Sequence, residues 1–230
     1  MPTYPQWNCR GFSANYEELK RLLDFHAPQV LCLQELILSG RPPLGLTAFH
    51  PPLLSVCRGE HDRGGGAAIF FHNSVPFRPL PLRTSLHAVA AVAYFGFSIT
   101  VCSIYLAPSC TYSRDDLISL FRQLPSPLLI LGDFNLRDPL WGDTDSSPHS
   151  DWLLDALDDF RLGCLNTGLP TFERLDTQTS TCIDLALCSV SHLPLFSWSR
   201  SSFLHGSDHY PIFLRFLGPS TPSSSPPSWR

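Results

Sequence analysis

The run LLILGDFN, Leu128 to Asn135, sets four apolar residues against a carboxylate and an amide two positions apart. A deeply buried strand gains nothing from Asp133, because an unpartnered buried charge is costly. An active site does gain from it. The same juxtaposition recurs along the chain. Asn8 follows Trp7 in QWNCRGF, Glu35 closes VLCLQE, and Tyr105 ends ITVCSIY. Asp184 lies within TCIDLAL, and Asp208 with His209 precedes YPIFLRF. Singly, Asp and Asn are ordinary turn formers. Collectively, separate apolar runs each deliver a carboxylate, amide, phenol or imidazole. Carboxylates and amides are hard oxygen donors. A carboxylate can also orient or deprotonate water, and an imidazole or phenol can donate to developing negative charge.

Short strands must position these groups. Apolar runs occupy Val30–Leu33, Ala67–Phe71, Leu128–Leu131, Ile183–Leu187 and Ile212–Phe216, each bounded by turn residues. Ala88–Tyr94 and Phe97–Tyr105 flank Gly96 like the arms of a hairpin. Helical spacing appears over Asn15–Phe25, with Ser13 as its expected cap, and over Ser113–Gln123 and Asp151–Phe160. Many strands with few helices predict an α/β (α+β) sandwich, sheets inside and helices outside. If the sheets face each other, the polar strand ends converge at one edge. Asn135 falls on the same side as Asp133 if the chain stays extended there. Pro2 and Pro5 cannot donate to a ladder and predict a frayed first strand.

Composition narrows the classes. With 230 residues, 43% of them hydrophobic, the chain can bury a sizeable core. Residues 1–217 read as one domain, and the Ser/Pro-rich segment 218–230 as a disordered tail or linker. The net charge of −4 is not the global signature of a nucleic-acid binder. It neither supports nor excludes a phosphate-bearing partner. Of the 16 basic residues only Lys20 is lysine, and arginine suits bidentate phosphate contacts. Cys32, Cys102 and Cys188 sit in apolar runs and there is no CxxC pair, so the expectation is reduced thiols in an intracellular protein. No apolar run approaches ~20 residues, and the N-terminus lacks a basic-then-apolar leader, so neither a membrane span nor a secretory signal is expected.

In order and spacing, QWNCRGF, LCLQEL, GGGAAIF, SIYLAP, LLILGDFN, STCIDLAL and GSDHYPI resemble the endonuclease/exonuclease/phosphatase superfamily. That superfamily includes DNase I and the apurinic/apyrimidinic endonucleases. The resemblance covers about residues 6–217. WNCRGF, GDFNLRDPLWGD, LNTGLPTF followed by IDL, and GSDHYPI look most like the endonuclease domain of non-LTR (LINE-type) retrotransposons. The resemblance implies a four-layered, DNase I-like α/β sandwich of two facing mixed sheets with outer helices. It implies Mg2+-dependent (or Mn2+-dependent) DNA cleavage leaving a 3′-hydroxyl that primes reverse transcription. It also implies a nuclear site of action and a reverse transcriptase domain in the full polyprotein.

On that resemblance Glu35 is the main metal ligand, Asn8 positions the metal or the phosphate, and Asp208 is an outer metal contact. Asp133 orients or deprotonates the attacking water, and Asn135 holds the same water or a phosphate oxygen. His209 meets the phosphate and its developing charge, Asp184 partners His209, and Tyr105 donates to the phosphate or leaving oxygen. Thr171 and Thr181, flanking a segment before Asp184, are expected to touch DNA. Arg10, Arg63, Arg137 and Arg174 are candidates for phosphate contacts. Two alternatives stand beside this reading: a same-fold phosphoesterase for a lipid or inositol phosphate, and a folded but inert copy.

Overall fold

The apolar runs are continuous because their strands are buried on both faces. The computed structural model describes residues 2–38, 45–55, 65–174, 176–177 and 179–218. Arg63 and the tail beyond Gly218 lie outside the described residues. In chain order the strands are β1 (Thr3–Asn8), β2 (Val30–Gln34), β3 (Leu53–Ser55), β4 (Ala67–Phe71), β5 (Phe77–Leu80), β6 (His87–Tyr94) and β7 (Ser98–Tyr105). There follow β8 (Leu128–Asp133), β9 (Leu162–Cys164), β10 (Phe172–Arg174), β11 (Thr179–Thr181), β12 (Asp184–Ser189), β13 (Phe196–Arg200) and β14 (Ile212–Phe216). The helices are α1 (Tyr16–His26), α2 (Arg114–Arg122) and α3 (Ser150–Asp159).

Two six-stranded sheets form, in the orders β13-β14-β1-β2-β4-β3 and β5-β6-β7-β8-β12-β9. Each is mixed, with one parallel pair, β1–β2 and β7–β8 respectively. Side-chain alternation sorts the residues into layers. Leu129 and Leu131 face the inter-sheet core with Val30, Cys32, Ile69 and Leu214. Leu128 and Ile130 face outward onto Leu117, Phe121, Leu153 and Leu157 of α2 and α3. On the far side, Leu31, Leu33 and Phe70 pack against Leu19 of α1. The result is a four-layered α/β sandwich, and each fully buried leucine contributes about 1.5–3 kcal/mol of burial.

Local chemistry explains the details. Ser113 caps α2 in a reciprocal capping box with Asp116. By contrast, α1 starts after Asn15 rather than being capped by Ser13. The Asn15 amide instead donates to the carbonyls of Cys9 (2.8 Å) and Gly206 (3.4 Å), tying the helix to two loops beside the strand ends. The first strand is not frayed: all six residues of β1 are buried. Its pairing to β14 runs from Thr3 to Gln6, whereas its pairing to β2 begins only at Gln6. Pro5 therefore sits just before the parallel ladder starts, where its missing N–H costs little. At Gly132 an added Cβ would lie 1.9 Å from the Ile104 carbonyl oxygen, so only glycine lets β8 approach β7 immediately before Asp133.

Candidate active site

The strand pairing gathers the polar residues at one end of the sandwich. Strand β8 ends on Asp133 and β12 begins on Asp184, and the two are direct partners across the antiparallel ladder. On the other flank of β8, Tyr105 at the end of β7 is the parallel partner of Asp133. The opposite sheet contributes Asn8 at the end of β1, paired with Gln34. His209 is brought in by an isolated bridge to Phe172 and by the indole N–H of Trp7, which donates to its carbonyl at 2.9 Å. Three of the turns that leave these strands are left-handed: Arg10 (φ 45°), Glu35 (φ 52°) and Asn135 (φ 50°). Non-glycine residues hold such angles only where the surroundings enforce them, and they cluster at functional sites.

Asp133, Asp184 and His209 form the buried centre, with relative exposures of 1%, 0% and 5%. His209 Nδ1 lies 2.8 Å from Asp184 Oδ2. A carboxylate can only accept, so Nδ1 carries the proton and Nε2 faces the site. Nε2 is 3.9 Å from both Asp133 Oδ2 and Asp208 Oδ1. Burial disfavours the imidazolium, but the charge and hydrogen bond of Asp184, with Asp133 and Asp208 behind it, outweigh burial and push His209 up to about 9. Burial pushes Asp133 up to about 7, against the opposing pull of His209 and of hydrogen bonds from Asn8 and Asn135. Tyr105 is held protonated by burial and then by Glu35, Asp133 and Asp208. Its phenol is therefore a donor at neutral pH.

Charge counts decide what else fits. Glu35, Asp133, Asp184 and Asp208 bear on Tyr105 and His209, and among the described residues the neighbouring cations are His209 and Arg10. Four carboxylates against two cationic groups leave an excess of negative charge lined with hard oxygens, a donor set suited to a divalent cation. Asp133, Asp184 and His209 also offer ligand atoms within 4.8 Å of one another. Within that trio His209 is hydrogen-bonded to Asp184, and Asp133 is held by Asn8, so the half-buried Glu35, just past the end of β2 in a left-handed turn, is a further candidate cation ligand.

Several residues have tasks other than those expected from sequence. Asn8 holds Asp133: its amide N–H donates to Asp133 Oδ2 at 2.8 Å while its oxygen accepts from the Arg10 N–H. Both ends of the amide are thus engaged, and in this arrangement Asn8 positions Asp133. The chain is not extended at Asn135. Its backbone N–H turns back to Asp133 Oδ1 (3.0 Å), and its amide donates to the Leu106 carbonyl (3.0 Å). Thr171 is fully buried, and its hydroxyl accepts the N–H groups of Ile183 and Asp184, so it anchors Asp184 and cannot touch DNA. Thr181 is half-buried on the β10–β11 hairpin. Arg10 pairs with Asp208 at 3.1 Å. Arg137 is half-buried in a loop closed by Ser147.

Sequence reading missed the support beneath the site. Gln6 and Gln34 are buried polar residues inside otherwise apolar runs, the one signal that could have found them. Asn166 donates to the Asp184 carbonyl and accepts from Ala186, bracing the start of β12. Ser207 donates to the Asn8 carbonyl.

Residues 99–213 match the family described as endonuclease–reverse transcriptase. The chain is 29% identical over 173 residues to the RNA-directed DNA polymerase from mobile element jockey of Drosophila melanogaster, covering 72% of this chain and 18% of that one. It is 26% identical over 230 residues to the probable RNA-directed DNA polymerase from transposon BS of the same organism, covering 94% and 24%. The chain thus spans at most about a quarter of the length of these relatives. Among solved structures, the endonuclease domain of TRAS1, a telomere-specific non-LTR retrotransposon, superposes with a TM-score of 0.76 at 21% identity, covering 94% of this chain and 99% of that one. An AP endonuclease from Archaeoglobus fulgidus superposes with a TM-score of 0.69 at 15% identity, with the same coverage.

Proposed function

The chain belongs to the endonuclease–reverse transcriptase family, and from that premise we propose that it is a Mg2+-dependent DNA endonuclease. It cuts one phosphodiester and leaves a 3′-hydroxyl. The observation that carries this reading is the buried Asp133–His209–Asp184 chain, flanked by Glu35, Asp208 and Tyr105 at one end of the sandwich.

Phosphodiester hydrolysis needs a nucleophile made from water, a neutralised phosphate and a helped leaving group. Asp133 takes the first role. Its carboxylate, fixed by Asn8 and by the Asn135 N–H, orients water and receives its proton, and a base matched to neutral pH serves best. His209 takes the second: held charged by Asp184, it places an N–H where negative charge develops on the phosphate. The Tyr105 phenol is the remaining donor, facing the phosphate or the leaving oxygen. Glu35 is the residue that would hold Mg2+ or Mn2+, with Asp208 alongside and balanced by Arg10. The bound cation supplies positive charge against the scissile phosphate. Thr181 and Arg137 remain as DNA contacts flanking the site.

The 3′-hydroxyl product is the primer end a reverse transcriptase extends. The relatives named as RNA-directed DNA polymerases are several times longer than this chain, which supports association with a polymerase segment. The test is nicking of supercoiled plasmid in Mg2+. We expect relaxation by the wild type and a loss of about 10²–10³ or more in Asp133→Ala and His209→Ala. Undiminished nicking in Asp133→Ala, or faster turnover of inositol phosphates than of DNA, overturns the reading.

A further inference from the structure

Beneath the site a line of buried side chains crosses from one sheet to the other. Ser103 on β7 lies 2.9 Å from the amide nitrogen of Gln34 on β2. The Gln34 side-chain oxygen accepts from the Gln6 amide at 3.2 Å, and the same Gln6 nitrogen donates to Asp184 Oδ1 at 3.1 Å. Gln6, Gln34 and Ser103 are at most 1% exposed. The order of donors is fixed. The Ser103 hydroxyl donates its proton to the Leu33 carbonyl (3.4 Å) and so accepts from the Gln34 amide, whose oxygen must then face Gln6. Gln6 then meets two acceptors, Gln34 Oε1 and Asp184 Oδ1, and can present only its NH2 group to both.

One consequence is visible. The Gln6 side-chain oxygen is buried and has no hydrogen-bond partner among the described residues. An orphaned buried acceptor is uncommon in a native fold and calls for a reason. Reversing the amide would satisfy nothing, since it would turn that oxygen onto a carboxylate and a second amide oxygen. The fold keeps the orphan in order to keep an N–H on Asp184.

Resting on the endonuclease reading above, we infer that Gln6 is a positioning residue for the reaction. Its amide occupies Asp184 Oδ1, which leaves Oδ2 to hold His209 Nδ1 and fixes the direction of the imidazole. Asp184 is then held at four points: Gln6 and His209 on its carboxylate oxygens, Thr171 on its backbone N–H and Asn166 on its backbone carbonyl. Gln6 touches neither substrate nor cation. It acts through the pair.

The test is Gln6→Leu, which keeps the approximate volume and removes both the donor and the orphaned oxygen. We expect the variant to melt below wild type, because Asp184 Oδ1 and Gln34 Oε1 lose their donor, to bind plasmid with unchanged KM, and to nick with kcat about 10–100-fold lower. An unchanged kcat overturns the inference. So does additivity with Asp184→Asn, because a residue acting through Asp184 has nothing left to lose in the double variant. If Gln6→Leu does not fold, Ser103→Ala serves instead. It withdraws the acceptor that orients Gln34, and a kcat equal to wild type overturns the relay. One readout is independent of activity: the far-downfield proton resonance of His209 Nδ1–H. We expect it to move in Gln6→Leu, and an unmoved resonance counts against the inference even if the wild type proves inert. An inert wild type with a shifted resonance sinks the endonuclease reading and leaves the Gln6–Asp184–His209 coupling standing.

Discussion

At the residue scale the site is a set of expensive groups holding one another. Asp133 is 1% exposed, and its folded pKa near 7 stands well above the ordinary 3.8. Burial of its charged form therefore works against folding at neutral pH. His209 carries the counter-charge. The linkage has a definite sign. The unfolded chain loses the His209 proton near 6.5, the folded one near 9, so this stabilisation is complete below about 6.5 and gone once pH has risen through 9. For Asp133 the corresponding loss runs from 3.8 up through about 7. Metal-free protein melted in EDTA should become progressively less stable from pH 4 to pH 9, and a flat profile contradicts the assignment. Asp133→Asn separates chemistry from stability. We expect it to be inactive for nicking yet to melt at or above wild type at pH 8, a trade between activity and stability. A variant that melts well below wild type would mean that the carboxylate serves the fold. Most of these groups were legible from their types, since an acid or imidazole at the end of an apolar run has few structural uses. What could not be read was who holds whom. Thr171 was expected at the DNA and is instead the anchor of Asp184, because burial of a hydroxyl depends on long-range packing that one segment does not carry.

At the scale of elements, strand termini do the positioning. LLIL was legible as a strand because both faces are covered, Leu129 and Leu131 by the other sheet and Leu128 and Ile130 by helices. The two-residue spacing of Asp133 and Asn135 was legible as a signal, but not its mechanism. The strand stops at Asp133 and a left-handed Asn135 folds back onto it. Pro5 was misread for a related reason: a proline harms a ladder only where its nitrogen is needed, and the register with β2 begins one residue later. Gly132 shows how tightly the strand end is set. Any Cβ there meets the Ile104 carbonyl, which is backbone of the paired strand and cannot step aside cheaply. Gly132→Ala should cost about 1–3 kcal/mol as an overpacked site. It should also reduce nicking by displacing Asp133 from Asn8 and His209. Chemical denaturation measures the first effect, and wild-type stability in this variant would show that β7 and β8 part more easily than the packing implies.

At the scale of the molecule, the edge of the sandwich concentrates charge of the sign its proposed substrate also bears. The whole chain is at −4, and four of its carboxylates converge at this edge. A polyanion would be repelled from such a surface unless a cation came with it. On the proposed reading the same excess would make the cation a folding ligand, because relief of carboxylate repulsion is available only in the native state. At a Mg2+ concentration about tenfold above its Kd, stabilisation is about 1.4 kcal/mol. For a chain of this size that corresponds to a rise in Tm of roughly 3–6 °C. Glu35 is the decisive position, since the other acids are already engaged by His209, Asn8 or Arg10. We therefore expect Glu35→Gln to melt slightly higher than wild type in EDTA, through loss of one repelling charge, and to show almost no rise on adding Mg2+. Scanning calorimetry with and without Mg2+ measures both at once. If the Mg2+-dependent rise survives intact in Glu35→Gln, the cation is held by the buried Asp133–Asp184–His209 trio instead. The imidazole would then have to leave Asp184 for the site to load.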